Sequence, residues 1–180
     1  MDYFNLKKIK SWGKYYSGNF TLYKPKTIED IQELIFKNSQ LIISGGFRSY
    51  GDSAINDVVV NSVNFDKIID FNNENGILKV ESGATLNEII KFLIPKGWFL
   101  KATPGTKFTT IGGCIASDIH GKEHHKDGCF SENLLSFKLL VNKDKIIEIN
   151  KQSHLDLFKA TCGGMGLTGF IVEAEIQCKK

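Results

Sequence analysis

The chain has 180 residues, a net charge of +3, a hydrophobic fraction of 42% and a charged fraction of 24%, the profile of a globular protein with one domain or two packed lobes. No stretch approaches the roughly 18 apolar residues that span a bilayer, and the N-terminal MDYFNLKKIK lacks the apolar core of a signal peptide. The basic run Lys7, Lys8 and Lys10 is short and reads as a solvated face, without the aromatic interleaving of a nucleic-acid footprint.

After an aromatic-dotted start, Ser11-Trp12-Gly13-Lys14-Tyr15-Tyr16, Pro25 precedes a helix that Thr27 can cap. Asp30 is favourably placed near its positive end, and Ile28, Ile31, Leu34 and Ile35 repeat at helical spacing. Leu41-Ile42-Ile43 reads as a buried strand, Asp57–Asn61 as another and Lys67–Phe71 as a third. The polar cluster Asn72–Gly76 is the expected boundary between a first lobe (1–72) and a second (73–180). The second lobe opens with a strand at Ile77–Glu81. A helix follows from Thr85, with Leu86, Ile89, Ile90 and Leu93 on one face and Pro95 and Gly97 as its stop. Asn133–Val141 and Lys145–Ile149 predict a hairpin turned by Asn142-Lys143-Asp144. Ser153 is the expected cap of a short helix through Ala160, with His154 exposed at its start, and Gly169–Cys178 alternates like a strand. Phe65, Phe71, Phe92, Trp98, Phe99, Phe137 and Phe158 are most economically core. The fold class is therefore α+β.

Cys114, Cys129, Cys162 and Cys178 are widely spaced and form no CxxC pair. Without an export signal the expectation is reduced thiols in a cytoplasmic chain, with Cys114 and Cys129 buried and inert.

Three glycine-bearing loops differ in what they imply. Gly164-Met165-Gly166-Leu167-Thr168-Gly169 matches GxGxxG in letters, but a dinucleotide fingerprint follows a strand and opens a helix. Here a helix precedes and a strand follows, so the segment reads as a helix end and a tight turn. Ser44–Ala54 (SGGFRSYGDSA) follows a strand and carries Arg48, Ser49 and Tyr50 among its glycines. Consecutive amides in such a turn form an anion nest, which a hydroxyl and a guanidinium would complete for a pyrophosphate; a simple strand-to-turn corner with Arg48 in solvent is the alternative. Thr103-Pro104-Gly105-Thr106 leads to Thr109-Thr110-Ile111-Gly112-Gly113, where Thr110 can cap a helix whose N-terminus is anion-ready, or which is a Gly-tolerant helix start and nothing more.

His120, His124 and His125 fall within six residues. The intervening Gly121-Lys122-Glu123 departs from the HExxH pattern of a zinc helix, so no metal is expected. The histidines are either surface residues or the lining of a cofactor or substrate cavity.

GGFRSYGDSA (45–54), ATPGTKFTTIGGCIASDIHGKEHH (102–125) and FKATCGGMGLTGFIVEAEI (158–176) together resemble the FAD-binding, PCMH-type domain of the vanillyl-alcohol-oxidase superfamily. The resemblance runs first to the decaprenylphosphoryl-ribose oxidase group and its bacterial relatives, then to the sugar-lactone oxidases. It extends in order from Trp12-Gly13 to Ile176.

The resemblance implies a two-lobed α+β domain with mixed sheets and flanking helices, holding an extended FAD between the lobes. Ser44, Gly45, Gly46, Phe47, Arg48, Ser49, Tyr50, Gly51, Asp52 and Ser53 would wrap the pyrophosphate. Gly105, Thr110, Ile111, Gly112 and Gly113 would line its other side. Ser117, Asp118, Ile119, His120 and His124 would approach the flavin and ribityl end, and Ile171 would offer backbone to the adenine. His120 would face the flavin beside the substrate and is the catalytic candidate.

Arg48 stands where the lactone oxidases carry a histidine bonded to the flavin, so the FAD is expected to be non-covalent. Members of the superfamily are more than twice this length, so a substrate domain and further catalytic groups are expected outside this sequence. The implied activity is oxidation of the CH–OH group of a sugar-like small molecule, with no nucleic-acid partner and with peripheral membrane contact left open. The rival readings are a sugar-lactone oxidase, a reductase of the enolpyruvyl-UDP-sugar type, and a non-catalytic binding domain or fragment.

Overall fold

The computed structural model describes residues 2–6, 12–15 and 19–180; the basic run Lys7, Lys8 and Lys10, with Ser11 and Tyr16, lies outside them. The first lobe contains β1 (Asp2–Leu6), β2 (Phe20–Lys24), α1 (Ile28–Lys37), β3 (Ile42–Ser44) and β4 (Val58–Asn61). Its sheet has the order β1-β2-β4-β3. β1 runs antiparallel to β2, while β2 and β3 are both parallel to β4. Helix α1 begins where the sequence places it. Thr27 Oγ1 accepts from the Asp30 amide, and the Asp30 carboxylate accepts in return from the Thr27 amide, which occupies two otherwise orphaned donors.

The second lobe contains β5 (Ile68–Asn72), β6 (Ile77–Glu81), α2 (Leu86–Leu93), β7 (Phe99–Leu100), α3 (Ile111–Ala116), α4 (His124–Asp127), β8 (Leu134–Asn142), β9 (Lys145–Asn150), α5 (Leu155–Thr161) and β10 (Phe170–Lys179). Its sheet has the order β5-β6-β10-β8-β9, with β7 pairing to the far end of β10. Helix α2 repeats the capping box of α1 through Thr85 and Glu88. Pro95 lies in the single 3-10 turn that ends it, and Gly97 closes that turn at φ 76°.

Two sequence expectations change. The cluster Asn72–Gly76 is not a lobe boundary but the turn of the β5–β6 hairpin, closed by the Gly76 amide on the Asn72 carbonyl at 2.8 Å. Consecutive strands joined by a short turn pair with one another, which draws β5 into the second sheet. The sheets therefore divide between Asn61 and Ile68. Ser153 is not the cap of α5 either: its amide donates to Asn150 Oδ1 at 2.7 Å, and His154, in the left-handed region at φ 60°, occupies the capping position without a side-chain bond.

Each lobe has its own apolar centre. Phe20, Leu22, Ile42 and Val59 fill the first. The larger second core packs α2 and α3 on the inner face of the sheet, with Phe71 edge-on to both Phe92 and Trp98. A third cluster joins the lobes. Ile31 from α1 meets Phe65 of the connecting segment, Leu140 of β8 and Phe170 of β10, and the Phe65 and Phe170 rings meet edge to face at 5.2 Å. The same helix that covers the first sheet is thereby bolted to the second.

The opposite, polar face of the second sheet carries an ion-pair ladder across three strands. Lys138 of β8 and Lys79 of β6 both reach Glu173 of β10, at 3.0 and 3.2 Å, and Lys79 also reaches Glu175 at 3.3 Å. Burial opposes ionisation of Glu173, but hydrogen bonds from Lys138 and Lys79 outweigh it and hold the carboxyl below its ordinary value.

Ile31 is fully buried at the lobe junction, so Ile31→Ala should cost about 2–5 kcal/mol and lower the thermal midpoint without altering the circular dichroism of the folded protein. The depressed Glu173 contributes stability above its unfolded-state pKa that disappears as pH falls through the lower folded value. Denaturant titrations at pH 7 and at pH 3 should therefore differ less for Glu173→Gln than for the unaltered protein.

Candidate functional site

Two short strands end in the same dipeptide, Ser44-Gly45 after β3 and Ser82-Gly83 after β6. Both ends open on one cleft of about 610 Å³ between the lobes. Its first wall is the Gly45–Ser53 loop. Among the described residues, no amide from Gly45 to Gly51 donates a hydrogen bond, and the loop bends through left-handed conformations at Phe47, Gly51 and Asp52 (φ 53°, 66° and 59°). A run of amides without partners in such a bend is an anion nest.

The loop is fixed from beneath. Asn61 Nδ2 donates to the carbonyls of Gly45 at 2.7 Å and Ser44 at 3.2 Å. Arg48 is exposed, with its guanidinium 5.8 Å from the Trp12 ring centroid and 5.6 Å from that of Phe108, so aromatic faces from two other segments attract it by cation–π interaction.

The opposite wall is α3 and the loop before it. The walls touch: a Cβ on Gly45 would stand 2.1 Å from Thr110 Oγ1, and one on Gly46 would stand 2.4 Å from the Phe108 carbonyl oxygen. Glycine lets the backbone pack on the Thr110 side chain at position 45 and on the Phe108 carbonyl at position 46.

Thr110 caps α3 as expected, its Oγ1 accepting from the Gly113 amide at 3.3 Å. The helix N-terminus is nevertheless not anion-ready. The Ile111 amide donates to the Ala84 carbonyl at 3.0 Å, that of Gly112 to Ser82 at 2.7 Å and that of Cys114 to Thr110 at 2.8 Å. Every donor of the first turn is already engaged, so α3 supplies shape and close approach, while the free amides belong to the Gly45–Gly51 loop.

Of the residues singled out in sequence, Ser44, Gly45, Gly46, Phe47, Arg48, Ser49, Tyr50 and Ser53 line the cleft on one side. Gly105, Thr110, Gly112, Gly113, Ser117, Asp118, Ile119, His120 and Ile171 line the remainder. Gly51, Asp52, Ile111 and His124 do not. Gly51 and Asp52 shape the bend, and Ile111 is fully buried in the second core. His124 lies on α4 against a separate hollow of about 200 Å³, its ring 5.1 Å from that of His120 and its Nδ1 3.7 Å from Cys129 Sγ.

His120 is exposed at the cleft mouth. Its turn is set by Asp118, which sits at φ 40° and accepts from the Ser131 amide at 2.8 Å and the Ser131 hydroxyl at 2.9 Å. Among the described residues, no group of three His, Cys, Asp or Glu side chains converges to hold a metal.

Cys114 is buried, and burial lifts its thiol to about 12. Cys129 is only half-buried, contrary to expectation, because the turn that carries it lies at the surface; burial, then the charges of Asp118 and Glu132, raise its thiol.

Cleft residues that sequence reasoning passed over include Trp12, Ile43, Ser62, Ser82, Thr109, Met165, Gly166 and Gly169. The repeated strand-end Ser-Gly was a readable signal for Ser82. For Met165 and its glycine neighbours the failed fingerprint hid a true position, since the segment fails as a helix opening and still borders the cleft.

Residues 21–150 match the family described as an FAD binding domain. The chain belongs to that family. It is 31% identical over 179 residues to decaprenylphosphoryl-beta-D-ribose oxidase of Mycolicibacterium smegmatis, covering 95% of this chain and 39% of that protein. It is 23% identical over 179 residues to D-arabinono-1,4-lactone oxidase of Candida glabrata, covering 94% and 34% respectively. The chain thus spans between a third and two fifths of the length of these two relatives. A solved structure of alkyldihydroxyacetonephosphate synthase superposes with a TM-score of 0.79 at 19% identity over 92% of this chain and 35% of that one, which establishes the shared fold.

The lining of the cleft fits the group that the family binds. Among the described residues, the buried side-chain polar atoms without partners are the hydroxyls of Ser44, Ser49 and Ser82, and all three residues border the cleft. Buried hydroxyls are normally paired, so three unpaired ones on residues that border one cleft are consistent with a polar ligand there.

The Gly45–Thr110 contact gives a direct check on this geometry. Gly45→Ala should cost about 1–3 kcal/mol through overpacking and weaken FAD binding in fluorescence titration, whereas Gly105→Ala, whose Cβ would meet nothing within 4 Å, should leave the thermal midpoint unchanged.

Proposed function

We propose that this chain is the FAD-binding part of an oxidoreductase that oxidises the CH–OH group of a sugar-like alcohol, with the FAD held non-covalently. The observation that carries the reading is that, among the described residues, the Gly45–Gly51 amides have no partner, on a cleft bordered also by three serines whose hydroxyls are unpaired. A diphosphate bridge offers the acceptor oxygens that those donors lack. The oxidase relatives, with sugar and sugar-lactone names, support the substrate class.

In this reading the Gly45–Ser53 loop binds the diphosphate, with Arg48 steadied by Trp12 and Phe108 beside it. Arg48 offers no imidazole for a bond to the flavin, which supports dissociable attachment. Ser117 to His120 lie toward the reactive end and Ile171 toward the adenine. FAD, when bound, supplies the two-electron acceptor chemistry, and the protein supplies binding, orientation and electrostatics. His120, on the turn braced by Asp118 and Ser131, positions the substrate alcohol by hydrogen bonding.

The purified chain titrated with FAD should quench flavin fluorescence saturably, and acid precipitation should release all the flavin into the supernatant. Flavin retained in the precipitate would contradict the non-covalent assignment, and absence of quenching would contradict the cofactor itself. In the enzyme carrying its substrate domain, His120→Ala should keep its FAD and lose at least about 100-fold in turnover, the low end for a proton-transferring or positioning group.

A further inference from the structure

Six non-glycine residues among those described have backbone in the left-handed region: Lys14, Phe47, Asp52, Asp118, His154 and Met165. Long apolar side chains are poorly tolerated there, so Phe47 and Met165 need an explanation. Phe47 has one, since its ring packs on the first-lobe core of Phe20, Leu22, Ile42 and Val59. Met165 has none of that kind. It joins no core cluster and remains 44% exposed, yet it borders the cleft.

Its backbone cannot relax cheaply. The Met165 amide donates to the Ala116 carbonyl at 2.8 Å, and the amide of Gly163 donates to Ile115 at 3.0 Å. Gly164 is pressed so close to α5 that a Cβ there would stand 2.0 Å from the Ala160 carbonyl oxygen. The loop is clamped between α3 and α5, and a glycine or asparagine at 165 would suit its conformation better. Strain kept at a ligand cleft, without a packing return in the protein itself, points to a contact made with the ligand. Beside Met165 the cleft is bordered by Ala116, whose carbonyl accepts from the Met165 amide, and by Gly166, which lies near the Ile43 carbonyl, a stretch of methyl group and bare backbone that suits a flat aromatic ring better than a phosphate. A thioether against a ring edge is a favourable pairing.

We infer that the Met165 side chain lies against a planar ring of the bound dinucleotide and contributes directly to its affinity. This rests on the cofactor reading above and assigns a contact within it.

The test compares the unaltered chain with Met165→Asn and Met165→Leu, using thermal melts without ligand and titrations with FAD, ADP and FMN. Asparagine accepts the left-handed backbone, so the ligand-free midpoint of Met165→Asn should be equal or higher. Its FAD dissociation constant should rise about 5- to 10-fold, with Met165→Leu staying within about twofold of the unaltered protein, as expected for one lost apolar contact. Weakening confined to ADP places the contact on the adenine, and weakening confined to FMN places it on the flavin; either supports the inference. An unchanged FAD constant in Met165→Asn, or a lower ligand-free midpoint that reveals a packing role, overturns it while leaving the cofactor reading intact. Failure of the unaltered chain to take up FAD overturns both.

Discussion

The backbone of the first lobe meets the Thr110 side chain at Gly45 and the Phe108 carbonyl at Gly46 with no room for a methyl group at either, and that meeting is held from behind. The hold is apolar. Ile31, Phe65, Leu140 and Phe170 form a small core that belongs to neither sheet alone, and burying such side chains stabilises by roughly 1.5–3 kcal/mol each. α1 therefore has two duties, covering the first sheet and fastening it to the second. With that junction in place, the β3 and β6 ends lie side by side, and their serines open on the same space.

Within this frame the donors are distributed unevenly. The α3 end that borders the cleft has its first-turn amides engaged by carbonyls of the second lobe, so in the proposed reading the helix is a wall and the first-lobe loop supplies the donors. The division has a physical logic. A helix whose amides are tied to Ala84 and Ser82 cannot drift, while a loop pinned by Asn61 through its carbonyls keeps its amides free to point outward.

Local signals in the sequence carried much of the fold. Thr27 with Asp30, Thr85 with Glu88, and Thr110 before Ile111 mark helix starts because capping involves residues three positions apart, and such patterns survive without tertiary knowledge. What escaped was set by distant partners. The use of the Ile111 and Gly112 amides depends on carbonyls of Ala84 and Ser82 that only folding brings near. The Asn72–Gly76 turn looks the same in sequence whether it divides lobes or closes a hairpin. Met165 was hidden because the GxGxxG pattern was judged against the helix-opening form alone. The left-handed bend at Phe47, Gly51 and Asp52 was suggested by the glycines of the loop because it is built from nearly consecutive residues.

The makeup of the donor set also governs how the cleft responds to solution conditions. Amide hydrogens and serine hydroxyls carry no net charge, and the guanidinium beside them lies over the Trp12 and Phe108 rings. Recognition by fixed dipoles acts at contact range, well inside the Debye length of about 8–10 Å in physiological salt. In the proposed reading such a pocket would hold a polyanion mainly through contact-range dipoles and one guanidinium, with less of the long-range pull that a lysine-lined groove exerts.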